Sequence, residues 1–211
     1  MVALADTGVS AFVVTTPYYY AGYNAAEIHG HFWQIASASR LPILAYNIPQ
    51  NTQVQMKADL LRQVVELPNL VGIKDSGGDW IEFQRLLLER PDRPYAVLQG
   101  QEAFAGASLL AGADGLVPGH ANMWPELLLE MQQAAKAGNI EAVWASQSRL
   151  NGLLQLRGRA MIHTYKVVAK AMGLMGEHVA SPLPRLSPSE AEACVASHAA
   201  AGVKLLTIKE A

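Results

Sequence analysis

An α/β fold built on parallel strands is what this sequence predicts, on three observations. Short apolar runs rich in β-branched residues recur along the first half, helix-patterned segments lie between them, and each run is continuous, as in strands covered on both faces. The totals agree: 211 residues, 51% of them apolar, suffice for a sizeable core, and a net charge of −2 marks neither disorder nor a nucleic-acid-binding surface.

Five strands are expected: Ala11–Thr16 (AFVVTT), Pro42–Asn47 (PILAYN), Leu70–Asp75 (LVGIKD), Tyr95–Gly100 (YAVLQG) and Ala113–Val117 (ADGLV). The first intervening helix runs over Ala25–Ser39. The second, Lys57–Glu66, stops at Leu67-Pro68, where proline ends helical hydrogen bonding. The third begins at Asp79, a capping carboxylate, and draws its apolar face from Ile81, Phe83, Leu86, Leu87 and Leu88. The fourth, Glu102–Ala111, closes on Gly112. Beyond the fifth strand the pattern is helical throughout: Pro125–Ala137, Ile140–Leu156, Met161–Met172 and Pro188–Ala201, with Gly138-Asn139 and Ser187-Pro188 as boundaries.

The single Cys194 cannot form an internal disulfide, and the residues before Gly8 lack a basic flank and a long apolar run, so a cytoplasmic protein is expected. Gly, Pro, His or charged residues break every apolar stretch short of the roughly 18 residues a membrane helix needs. No metal or nucleotide cofactor is expected. His29 and His31 stand two apart on a helix and share no face; His163, His178 and His198 have no spaced ligand partners; glycine-rich phosphate loops are absent. His120 reads equally as a pocket-facing partner of a substrate hydroxyl or as a solvent-exposed loop residue.

Parallel strands bring their C-terminal ends to one face, where α/β folds place their sites. Here those ends carry Thr15-Thr16-Pro17-Tyr18-Tyr19-Tyr20, Tyr46-Asn47-Ile48-Pro49 and Lys74-Asp75-Ser76-Gly77-Gly78. A lysine ending an apolar strand loses hydration, which disfavours its charge and exposes a nucleophilic amine that attacks ketones. A tyrosine within hydrogen-bond reach can move protons to and from the adduct. Gly77 and Gly78 let the backbone pass close to a small substrate. The residues alone leave a plainer reading open, in which Lys74 caps a carbonyl or pairs with Asp75 and the tyrosines are packing or interface residues; for Tyr18 packing or interface contact is the preferred reading.

The segments T-P-Y-Y, Y-N-I-P and G-I-K-D-S-G-G-D, in that order and spacing, resemble the dihydrodipicolinate synthase / N-acetylneuraminate lyase family. The likeness continues through Gly100, Ala111–Val117, Tyr165-Lys166 and Pro182–Ser187, so it covers nearly the whole chain. It implies a (β/α)8 TIM barrel with a C-terminal helical appendage, usually a homotetramer, that binds pyruvate as an imine. Lys74 matches the imine-forming lysine, Tyr46 the tyrosine that handles protons, and Tyr19 the residue that continues the relay, with Tyr20 as its substitute. Val117 matches the residue whose carbonyl lies near the bound ketoacid.

Two departures qualify the likeness. The chain begins just before the family's fourth strand, so an incomplete barrel of five strands is expected, with 1–157 as partial barrel and 158–211 as helical region. The family's G-[TS]-T-G-E loop, which holds the pyruvate carboxylate, has no counterpart here. Asn51 stands where true dihydrodipicolinate synthases place a carboxylate-binding arginine, and a neutral amide cannot form that bidentate pair. The implied function is a pyruvate-dependent class I aldolase or synthase, a lyase acting on a hydroxy-oxoacid or keto-deoxy sugar acid. The competing expectation is an inactive truncated relative acting only through association.

Overall fold

The computed structural model describes residues 6–157 and 161–202, and the residues divide between two compact units, one ending at Pro118 and the other starting at Gly119. The expected boundary at Gly158 lies outside the described residues.

The first unit holds one five-stranded parallel sheet in the order β1-β2-β3-β4-β5: Phe12–Thr15, Ile43–Asn47, Leu70–Asp75, Ala96–Gln99 and Gly115–Leu116. Among the described residues β1 and β5 each pair on one side only, so the sheet is an incomplete (β/α) barrel. β5 is shorter than expected, yet its ladder extends beyond both ends, where Asp114 N donates to Val97 O at 3.0 Å and Val117 N to Gln99 O at 2.8 Å.

Helices α1 (Ala25–Ala38), α2 (Pro49–Thr52), α3 (Ala58–Val64), α4 (Trp80–Leu88) and α5 (Ala105–Leu110) fill the connections. Asn24 caps α1 reciprocally with Glu27, the side chains and backbone N–H groups exchanging bonds of 3.0 and 2.8 Å. Ile28, Phe32 and Ala36, spaced by four, then form its buried stripe. They join Ile43, Ala45, Leu61, Val64, Ile73, Phe83 and Val97 in one core between sheet and helices. Asp79 caps α4 as expected, accepting from Ile81 N and Glu82 N. α2, a single turn after Pro49, was not predicted; proline with its fixed φ starts it and Gln53 at φ 59° ends it. The helix expected over Glu102–Ala111 opens as a tighter 3-10 turn, Glu102–Phe104.

One expectation fails. The strands are not covered equally on both faces: Ile43, Ala45 and Asn47 of β2 are buried while Leu44 and Tyr46 between them are only half-buried, and Val13 of β1 is 55% exposed. Helices cover one face of the sheet, and the apolar residues of the other remain partly open to solvent.

The second unit packs α6 (Pro125–Lys136), α7 (Ile140–Leu154), α8 (Met161–Ala171) and α9 (Pro188–Ala200). Its centre holds a ring stack: His120 on Trp124 at 4.9 Å and Trp124 on His198 at 5.6 Å. His120 is fully buried, with Tyr165 Oη 3.0 Å from its Nδ1, so the solvent-exposed reading of this histidine does not hold. The aromatic neighbours supply the apolar contacts that draw the ring inside. Among the described residues no helix is long and apolar enough to cross a membrane.

Candidate active site

Strand register determines which side chains meet. Thr15 pairs with Tyr46, Tyr46 with Lys74 and Lys74 with Leu98, so Tyr46 and Lys74 stand side by side on the half-open face at the C-terminal ends of β2 and β3. Lys74 Nζ lies 4.1 Å from the centroid of the Tyr46 ring. An ammonium over a ring face is attracted by the π-electron quadrupole. The amine thus meets the ring rather than the hydroxyl, a departure from the hydrogen bond the sequence suggests, because paired residues on adjacent strands project in parallel and present their flanks. Among the described residues Lys74 has no ion pair.

Asp75 does not hold the lysine, since side chains alternate along a strand and Asp75 points to the opposite face. There it is 4% exposed beside Asn47, 3% exposed, whose Nδ2 donates to its Oδ1 at 2.5 Å. Met56 N in turn donates to Asn47 Oδ1 at 3.0 Å. Burial pushes the Asp75 carboxyl above the usual carboxylate range, and the bonds from Asn47 and the Gly77 N–H oppose that rise. Backbone bonds fasten the same strand ends: Ser76 N to Asn47 O at 2.8 Å and Gly100 N to Asp75 O at 2.7 Å.

Two glycines make this arrangement possible. A Cβ at Gly77 would stand 2.8 Å from Asn47 Nδ2, so the close approach that needs glycine there is to the buried pair. A Cβ at Gly100 would lie 3.0 Å from Lys74 Cε and would also strike Ser76 Oγ, so Gly100 forms the floor on which the lysine side chain lies.

The remaining expected residues lie outside the Lys74–Tyr46 ring contact. Tyr19, at φ 80°, is 80% exposed and meets Tyr20 edge-to-face at 5.0 Å. Tyr18 and Tyr20 are each 70% exposed, so packing within this chain does not account for Tyr18. Asn51 is exposed on α2, and Val117 is 41% exposed after β5. His31 fastens α1 to the end of β1, its Nε2 3.0 Å from Thr15 O. Asn47, Asp75 and Gly100 are the site-supporting residues that the sequence reading did not single out. The available signal was the period-two alternation: a polar residue one place after Tyr46 and after Lys74 must face away from them.

Relatives extend this picture. A 4-hydroxy-tetrahydrodipicolinate synthase of Archaeoglobus fulgidus is 32% identical over 185 residues, spanning 87% of this chain and 62% of its own length. One from Nitrosospira multiformis is 34% identical over 183 residues, 86% of this chain and 60% of the relative. The chain therefore spans about three-fifths of the length of these curated relatives. The dihydrodipicolinate synthase of Acinetobacter baumannii, solved with pyruvate, superimposes with a TM-score of 0.85 at 28% identity over 96% of this chain and 69% of that one. The enzyme of Aquifex aeolicus shares the fold, with a TM-score of 0.86 at 22% identity over 95% of this chain and 69% of its own. Residues 2–201 match the Dihydrodipicolinate synthetase family, and the chain belongs to it.

Proposed function

We propose that this chain carries the imine-forming part of a pyruvate-dependent class I aldolase or synthase, a carbon–carbon lyase in which Lys74 is the nucleophile and Tyr46 its proton-handling neighbour. The observation that carries this reading is the amine held 4.1 Å over the Tyr46 ring on the open face at the strand ends. Once the ammonium has lost a proton to solvent, the Lys74 amine adds to the ketone carbon of a 2-oxo acid to give a carbinolamine. Protonation of its hydroxyl expels water and leaves the protonated imine, and Tyr46 is the residue proposed to supply that proton. The imine then acts as an electron sink for making or breaking the adjacent carbon–carbon bond. No metal is required in this scheme.

Tyr19 is proposed to continue the relay, and its exposure suits completion by contact with another copy in a homo-oligomer. Val117 presents its carbonyl to the ketoacid, and Asn51 favours a hydroxylated rather than a dicarboxylic second substrate, so a hydroxy-oxoacid or keto-deoxy sugar acid is the proposed class.

The purified chain is incubated with pyruvate and sodium borohydride and analysed by peptide mass spectrometry. A reduced pyruvyl adduct confined to Lys74, and lost in Lys74→Ala, is the expected result. Folded protein that gives no adduct overturns the proposal.

A further inference from the structure

We infer that Asn47 and Asp75 are positioning residues that hold Tyr46 and Lys74 in reactive register from the far side of the sheet; this inference rests on the imine reading above. Each stands one residue beyond its reactive neighbour, so the side chains of the pair meet behind the sheet while Tyr46 and Lys74 meet in front. The two faces are built differently. In front, the side-chain contact described between Lys74 and Tyr46 is the ring-face one. Behind, an amide–carboxylate bond of 2.5 Å crosses between the strands and a second bond of 3.0 Å ties Asn47 to Met56 N. Both side chains are more than nine-tenths buried, where a hydrogen bond to a charged group is strong and an unmatched partner is costly. The parallel ladder alone fixes the strands' spacing; the pair fixes the twist of their last residues, which aims the ring and the amine.

The test uses the swap of donor and acceptor. Asn47→Asp alone sets two carboxylates against each other, whereas Asn47→Asp with Asp75→Asn restores one amide and one carboxylate. In the swapped pair the carboxylate introduced at position 47 still accepts from Met56 N, and the amide introduced at position 75 still offers an oxygen to the Gly77 N–H.

Borohydride trapping is measured against pyruvate concentration, with melting temperature recorded in parallel. The single variant is expected to lose roughly tenfold to a hundredfold in maximal trapping rate, with little change in half-saturating pyruvate, and the double variant to recover most of it. Asn47→Ser, which removes both bonds without adding charge, carries the same readout if Asn47→Asp does not fold. Variants that melt earlier but, while folded, trap pyruvate at the wild-type rate would overturn the positioning role and leave the imine reading intact. A wild-type chain that forms no adduct removes both.

Discussion

The Asn47–Asp75 pair and the Trp124–His198 stack are both buried polar clusters, one in each unit, and they are held together by different means. Asn47 bonds on both ends of its amide, to Asp75 and to Met56 N, so the cluster is directional and fixes geometry. His198 uses Nδ1 on Cys194 O at 2.7 Å, while its Nε2 and the Trp124 Nε1 have no hydrogen-bond partner among the described residues. What holds that second cluster is ring area: Trp124 and His198 lie within 8° of parallel. Directional bonds suit the aim that the proposed chemistry requires, and stacking suits a place where helices need only be held together. Stacking also leaves the second cluster sensitive to charge.

The largest effect is expected at Gly100, beside the lysine that the directional cluster backs. Gly100→Ala puts a methyl against Lys74 Cε and Ser76 Oγ, and is expected to cost about 1–3 kcal/mol of stability and to lower pyruvate trapping by roughly tenfold or more. Denaturant titration and borohydride trapping measure the two effects; wild-type trapping in this variant would mean that the lysine side chain has room the structure does not show.

A smaller effect is expected from pH in the second unit. Burial lowers His198 below its ordinary value of 6.5, with the bond to Cys194 opposing that shift and His120 adding to it. The unfolded chain takes up its proton near 6.5 and the folded protein only below that, so the unfolded state binds more protons in between and stability falls as pH drops through this window. Thermal melts recorded on either side of pH 6.5 should show the loss, and His198→Phe, which keeps the stack without the charge, should flatten it. An unchanged slope in that variant would assign the pH response to other groups.

The mildest perturbation is local. Asn24→Ala removes one half of the α1 capping box and should cost about 1 kcal/mol in denaturant titrations while leaving the trapping rate unchanged. A change in trapping would mean that α1, which His31 ties to the end of β1, transmits strain to the site.

Much of the site was legible in the chain itself. LVGIKD reads as a strand from end to end and forms one over Leu70–Asp75, and the pairing of Tyr46 with Lys74 follows from Y-N and K-D closing adjacent parallel strands. Asp79 announces the start of α4 because a short carboxylate at that place satisfies free N–H groups, a purely local matter. The single turn of α2 was not legible, because four residues carry too little periodicity to be read.

Local chemistry and periodicity, which act within a few residues, determined by the sequence alone where the strands fall, that they run parallel and that an amine and a phenol share their ends. Only the tertiary structure decided that Lys74 meets the Tyr46 ring face, that Gly100 underlies the lysine, that His120 is buried and that one face of the sheet stays open. Those outcomes depend on contacts between residues far apart in the chain, where register, twist and packing are settled together rather than by any one segment.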